Sequence, residues 1–143
     1  MRPDLPFELP ILVRFRDMDA MGHVNNSVYF TYLETARQEY WFALCGTRDV
    51  ASFNFIIMKA ECTYKSPATI GETVLVRSGI TRIGNSSFTW EYHLSDHASG
   101  RVIALGTTEQ VCYDYALRRP MRMPTDLRDR IAAFESGLRA ARL

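Results

Sequence analysis

The chain reads as an α+β protein in which an antiparallel five-stranded sheet curls around one long central helix, with a second helix on the surface near the C-terminal end. Three observations predict this. Residues 27–45, SVYFTYLETARQEYWFALC, are apolar around most of a helical circumference, and such a helix must be covered on several sides. Phe88, Trp90, Tyr92 and Leu94 alternate with Ser87, Thr89, Glu91 and His93, the period of a half-buried strand. Leu127, Ile131, Phe134 and Leu138 fall at i, i+4, i+7 and i+11, which gives the tail helix one apolar stripe.

The elements follow in order. ILVRFR (11–16) comes after two prolines and predicts the first strand, leading into the loop DMDAMGHVNN (17–26). Asn25 or Asn26 can cap the long helix, and Gly46 stands where a helix C-terminal glycine belongs. Ser27, Thr31, Glu34 and Gln38 form its narrow polar stripe. FIIMKAECTYKSP (55–67) reads as a strand ending at Pro67, followed by a turn centred on Gly71. VLVRSGITRIG (74–84) leads through Gly84 and Asn85 into residues 87–94; after the turn DHASG (96–100) comes the last strand, RVIALGTTEQVCYDY (101–115). Four antiparallel strands joined by short turns are thus expected after the helix. The tail helix is expected over 124–139, and Arg118, Arg119 and Arg122 read as a solvated patch. The whole of 1–143 is expected to form a single domain, its core spanning about 9–116.

Composition narrows the function classes. Hydrophobic residues make up 47% and charged residues 23% of the 143 positions, an ordinary globular balance. A formal net charge of +1 gives no general pull toward nucleic acid or anionic membrane. Cys45, Cys62 and Cys112 are odd in number and widely spaced, which suits reduced thiols in a cytoplasmic protein better than a disulfide framework. The N-terminal MRPDLPFELP has no signal-peptide core, and no run approaches membrane-spanning length.

The loop holds the chemistry. Asp, Gly and Asn are cheap turn formers, yet a plain connection does not need Asp17, Asp19 and His23 set so close to Met18, Met21 and Val24. Asp17 reads as a loop organiser that bonds backbone amides. Asn25 and Asn26 read first as cap residues. Glu34 and Arg37, three apart on the helix, suggest an intrahelical or interface ion pair. Neither Cys62 nor Cys112 is paired with a base in sequence, and His93 and His97 join no credible metal cluster, so no metal is expected.

The run Asp17-x-Asp19-x-x-Gly22-His23-Val24-Asn25-Asn26, then Tyr29, then Tyr32-x-Glu34-x-Ala36-Arg37, resembles the hotdog-fold thioesterases, within them the 4-hydroxybenzoyl-CoA thioesterase-like group. Tyr64-x-x-Pro67-Ala68, Gly71-Glu72 and Gly84-x-x-Ser87 follow in the expected order. The resemblance implies the helix-in-sheet architecture above, homodimers or homotetramers with sheets paired edge to edge, and active sites at the subunit interface. It implies an acyl-CoA thioesterase that cleaves a fatty or aromatic acyl thioester, carried by CoA or by acyl carrier protein. No cofactor is implied beyond that carrier.

By position Asp19 matches the carboxylate that acts on the thioester, as nucleophile or as base for water, and the Asn26 amide matches the backbone donor that polarises the carbonyl. The chemistry agrees. A thioester needs a placed carboxylate or water and donors for its oxyanion, and a helix N-terminus supplies unpaired N–H groups and a dipole that favours negative charge. The GHVNN form also resembles the loop of plant acyl-carrier-protein thioesterases. There the counterparts of Asp19 and His23 are catalytic, while their catalytic asparagine is Met21 here. His23 is therefore the assisting residue, and Gly22, Asn25 and Asn26 position the substrate. Tyr29, Phe30 and Tyr32 are candidates for the acyl wall, with Glu34 and Tyr29 as secondary site residues. Lys59, Lys65, Arg77, Arg82 and the arginines of 118–122 are the cations available to CoA phosphates. Two rival readings remain. One is a dehydratase or hydratase of 3-hydroxyacyl thioesters built on His23 and Glu34; the other is a non-catalytic acyl-CoA-binding module.

Overall fold

The computed structural model describes residues 4–142. Its elements are β1 (Phe7–Leu12), α1 (Val28–Cys45), β2 (Phe55–Tyr64), β3 (Thr73–Ile83), β4 (Ser87–Asp96), β5 (Val102–Asp114), β6 (Arg119–Pro120) and α2 (Thr125–Ala141). The strands lie in the order β1-β3-β4-β5-β2, all antiparallel, and the two-residue β6 adds to the end of β5.

α1 begins and ends close to its expected bounds. Gly46 closes it in the left-handed region, φ 68°, and its N–H donates to the Phe42 carbonyl. Tyr29, Tyr32, Leu33, Ala36, Tyr40, Trp41 and Leu44 are buried against the concave face of the sheet. Tyr40 and Trp41 meet Trp90 of β4 at ring-centroid distances of 4.8 and 6.4 Å, and Trp41 meets Phe55 of β2 at 4.8 Å. Gly106 of β5 lets the helix come this close. A Cβ there would stand 2.9 Å from Leu33 Cδ1, inside any real contact.

Four expectations are corrected. The first strand is Phe7–Leu12, not 11–16, and residues 15–17 turn as a short 3-10 helix. Phe7, Leu9 and Ile11 alternate with exposed Glu8, Pro10 and Leu12. Pro10 masks this pattern in the sequence, yet proline is tolerated on an outer strand, and among the described residues β1 pairs only with β3. Second, β2 and β3 are not hairpin neighbours. β2 lies at the far edge beside β5, and β3 lies between β1 and β4. Third, His93 is buried, although it alternates onto the face turned away from α1; Arg77 of β3 and Leu105 of β5 flank it across the ladder. Fourth, Ser27 stands just before α1 and makes no side-chain cap bond, so the capping side chain is Asn25, from two positions earlier, and not Asn26.

α2 buries Leu127 and Ile131 and packs Phe134 on Tyr40 at 5.0 Å. Arg118, Arg119 and Arg122 are exposed. Among the described residues no helix is long and apolar enough to cross a membrane.

Candidate active site

The loop before α1 is held by its own backbone. Asp19 N–H donates to the His23 carbonyl (2.9 Å), Gly22 N–H to the Asp19 carbonyl (3.1 Å) and Asn25 N–H to the Asp17 carbonyl (2.9 Å), and Met18 and Val24 form an antiparallel bridge. Gly22 takes φ +84° at the tip, a conformation other residues rarely adopt. Within this frame Met21 N–H donates to Asp19 Oδ1 at 2.9 Å, which orients the carboxylate.

Asp17 is the organiser of the loop. Its buried carboxylate accepts from Arg14 N (2.9 Å), Arg14 Nη2 (3.0 Å) and the Tyr32 hydroxyl (2.8 Å). Burial pushes its pKa up, but the bonds from Arg14 and Tyr32 outweigh this and hold it below the ordinary carboxylate value.

At the start of α1, Asn25 works from outside the cap position. Its Oδ1 accepts from Ser27 N (2.9 Å) and Ser27 Oγ (2.8 Å), and its carbonyl accepts from Val28 N (2.9 Å). In a planar trans peptide the N–H points opposite to the C=O. Because the Asn25 carbonyl is turned into the helix, the Asn26 N–H is turned out of its N-terminal end. Among the described residues it donates to no group.

The far wall comes from the connection after β2. The Tyr64 hydroxyl donates to the Asn26 carbonyl (2.8 Å), and its ring meets Tyr29 at 5.3 Å. Arg101 Nη1 donates to Ser66 Oγ (2.9 Å) and to the Pro67 carbonyl (2.7 Å). Ala68 ties both walls together, since its N–H donates to the Tyr29 hydroxyl (3.2 Å) and its carbonyl accepts from Val24 N (2.8 Å). An open cavity of about 520 Å³ lies between, lined on one side by Asp19, Met21, His23, Asn26 and Tyr29 and on the other by residues 64–67. A second cavity of similar volume lies among Glu61, Glu91, His93 and Thr107 and contains none of the loop's residues.

The structure thus brings Asp19, His23, Asn26 and Tyr29 to one cavity, with Gly22 at the turn behind them and Asn25 bonded to the helix start. Glu34 is exposed on α1 and does not line it. Among the described residues Glu34 and Arg37 are not paired within the helix, and Arg37 Nη1 donates to the Tyr92 hydroxyl at 3.3 Å. Tyr32 is committed to Asp17. Burial pushes the Cys62 thiol up, and Cys112 to about 11, the reverse of an activated nucleophile. Among the described residues no group of three or more His, Cys, Asp or Glu is placed to hold a metal ion. Lys65 was expected only as a cation for CoA phosphates, and Tyr64, Ser66 and Pro67 were not expected as site residues. Their signal was Tyr64-x-x-Pro67-Ala68, legible as the end of a strand.

The sequence pattern of the thioesterase-like superfamily matches residues 13–131. The chain belongs to the thioesterase-like superfamily. This thioester hydrolase is 23% identical over 129 residues to the long-chain acyl-CoA thioesterase of Escherichia coli (strain K12), covering 85% of this chain and 93% of that one. It is 23% identical over 135 residues to an acyl-CoA thioesterase of Haemophilus influenzae, covering 92% and 96%. Among solved structures it superposes on a thioesterase of Thermus thermophilus, crystallised with coenzyme A and zinc, with TM-score 0.80 and 31% identity over 92% of this chain and 96% of that one.

Proposed function

We propose that this protein hydrolyses an acyl-CoA thioester to the free acid and CoA, with Asp19 as the catalytic carboxylate. The observation that carries this reading is that the Asp19 carboxylate and the outward N–H of Asn26 border one cavity at the N-terminal end of α1. The thioester carbonyl oxygen would sit on the Asn26 amide. Asp19, steadied at Oδ1 by Met21 N–H, would deliver oxygen to the carbonyl carbon, either its own or that of a water it activates. The oxyanion then forms where a backbone donor and the helix dipole already point, which is worth about a hundred- to a thousandfold in rate for one such donor. Collapse of the intermediate expels the CoA thiolate, with His23 at the same cavity assisting proton transfer; where Asp19 itself attacks, water then hydrolyses the Asp19–acyl anhydride to release the acid. A carboxylate, water and a backbone amide suffice, so the reaction as proposed draws on no cofactor beyond the CoA of the substrate. The likeness to acyl-CoA thioesterases supports CoA as the carrier. Lys65, on the lining, is a cation available to its phosphates.

Two copies of the chain would pair through β2. That strand ends the sheet with Ile56, Ile57 and Met58 exposed, whereas β1 at the other edge carries Pro10, which cannot donate to a ladder. Tyr64 closes β2 and lines the cavity, so this pairing would bring a second copy beside the site.

The test is CoA release from short, long, branched and aromatic acyl-CoAs. Asp19→Asn should lose on the order of a hundredfold or more in kcat, and His23→Ala about tenfold, or 1.4 kcal/mol of transition-state stabilisation. Wild-type turnover by Asp19→Asn would sink the assignment, and release only from acyl carrier protein would move the substrate to that carrier. A dehydratase built on His23 and Glu34 is disfavoured, since Glu34 does not line the cavity within one chain.

A further inference from the structure

We infer that Tyr64 is a positioning residue for the oxyanion donor. The inference rests on the site reading above. Asn26 stands between two peptide groups. The one before it is held at its carbonyl by Val28 N–H (2.9 Å). The one after it is held at its N–H by Asn25 Oδ1 (2.9 Å) and at its carbonyl by the Tyr64 hydroxyl (2.8 Å). The bonds from Val28 and Asn25 are local to the helix start. Only the Tyr64 bond comes from the sheet, across a sequence separation of 38 residues.

Its anchor is rigid. Tyr64 is the last residue of β2, paired with Ala104 of β5, and its ring leans edge-on against Tyr29. The Tyr29 hydroxyl in turn accepts from Ala68 N–H, so the ring that supports Tyr64 is itself fixed. Without the phenol hydroxyl, the Asn26–Ser27 peptide is held only at its N–H and its tilt can change; φ and ψ of Asn26 change with it, and through them the preceding peptide, which carries the Asn26 N–H, is left aimed by the Val28 bond alone. A donor aimed at a developing oxyanion is sensitive to such misplacement, because stabilisation depends on alignment that exists before the reaction begins. The bond itself is exposed, with Tyr64 45% accessible, so it adds little to folding.

The experiment compares Tyr64→Phe with wild type and Asp19→Asn on whichever of acetyl-, octanoyl-, palmitoyl- or benzoyl-CoA the wild type turns over fastest. Binding is read with S-octyl-CoA, a thioether with a methylene in place of the carbonyl. Tyr64→Phe should lower kcat about tenfold and leave KM, S-octyl-CoA affinity and the melting temperature unchanged, the mark of an interaction realised only in the transition state. A wild-type kcat in Tyr64→Phe, with Asp19→Asn inactive, overturns the positioning role and spares the site. A loss shared by kcat, thioether affinity and melting temperature assigns Tyr64 to the pocket wall and overturns the role too. No CoA release by the wild type from any of the four overturns the site reading, and the role of Tyr64 with it.

Discussion

Asp17 and Asp19 stand two residues apart and live in different physics. Asp17 is buried and satisfied by Arg14 N, the Arg14 guanidinium and the Tyr32 hydroxyl. Asp19 borders the cavity, steadied by the Met21 amide. The sequence already read Asp17 as the loop organiser; the buried bond from Tyr32 shows which distant side chain it organises the loop against. Because the folded-state pKa of Asp17 lies below its ordinary value, its stabilisation is present above that value and is lost as pH falls through the lowered one. The Arg14 side chain is 55% exposed, so solvent screens its share. Asp17→Asn should cost about 1–3 kcal/mol at neutral pH, and the gap to wild type should shrink in acid. Denaturant unfolding at neutral and acidic pH checks this; a gap independent of pH would contradict it.

α2 shows what an element contributes beyond its apolar stripe. β1 meets β3 from Leu12 opposite Thr73 up to Phe7 opposite Ser78, so among the described residues no strand pairs with the outer side of β3 beyond Ser78. α2 covers that stretch, and its buried Glu135 accepts from Ile80 N (2.7 Å) and the Tyr40 hydroxyl (2.5 Å) while pairing with Arg139. Burial and then the Glu135 charge push the Tyr40 hydroxyl above its ordinary range. The helix thus bonds to the strand it covers and to α1. Glu135→Ala leaves two buried groups unpaired and should cost about 2–4 kcal/mol, with Glu135→Gln losing less. Denaturation midpoints measure both, and an unchanged midpoint for Glu135→Ala would rule out the latch. The stripe of Leu127, Ile131, Phe134 and Leu138 was legible from spacing. Glu135 was not, since a carboxylate beside a stripe looks like solvent-facing surface until a strand end comes to meet it.

At the scale of the whole molecule, the two outer strands differ. β1 carries Pro10; β2 shows Ile57 at 39% and Met58 at 58% exposure. If two copies pair through β2, Ile57→Lys should shift the mass in analytical ultracentrifugation from dimer toward monomer, by burying an unpaired charge at the seam. A wild-type chain that sediments as a monomer, or a variant that stays dimeric, would refute that pairing.

The sequence by itself determined the long helix and its glycine stop, the alternation of β4, the tail stripe and the loop with Asp19, Gly22, His23 and Asn26 at its tip. These depend on spacing along the chain, and spacing is local. Tertiary structure alone decided that β2 joins β5 at the far edge, that Pro10 sits in an outer strand, that Arg37 turns to Tyr92, and that Tyr64 meets Asn26. Periodicity states which face a side chain takes, but not which strand lies beside it. That choice is made when the sheet closes over α1 and brings distant residues such as Tyr40 and Glu135, 95 positions apart, into one hydrogen bond.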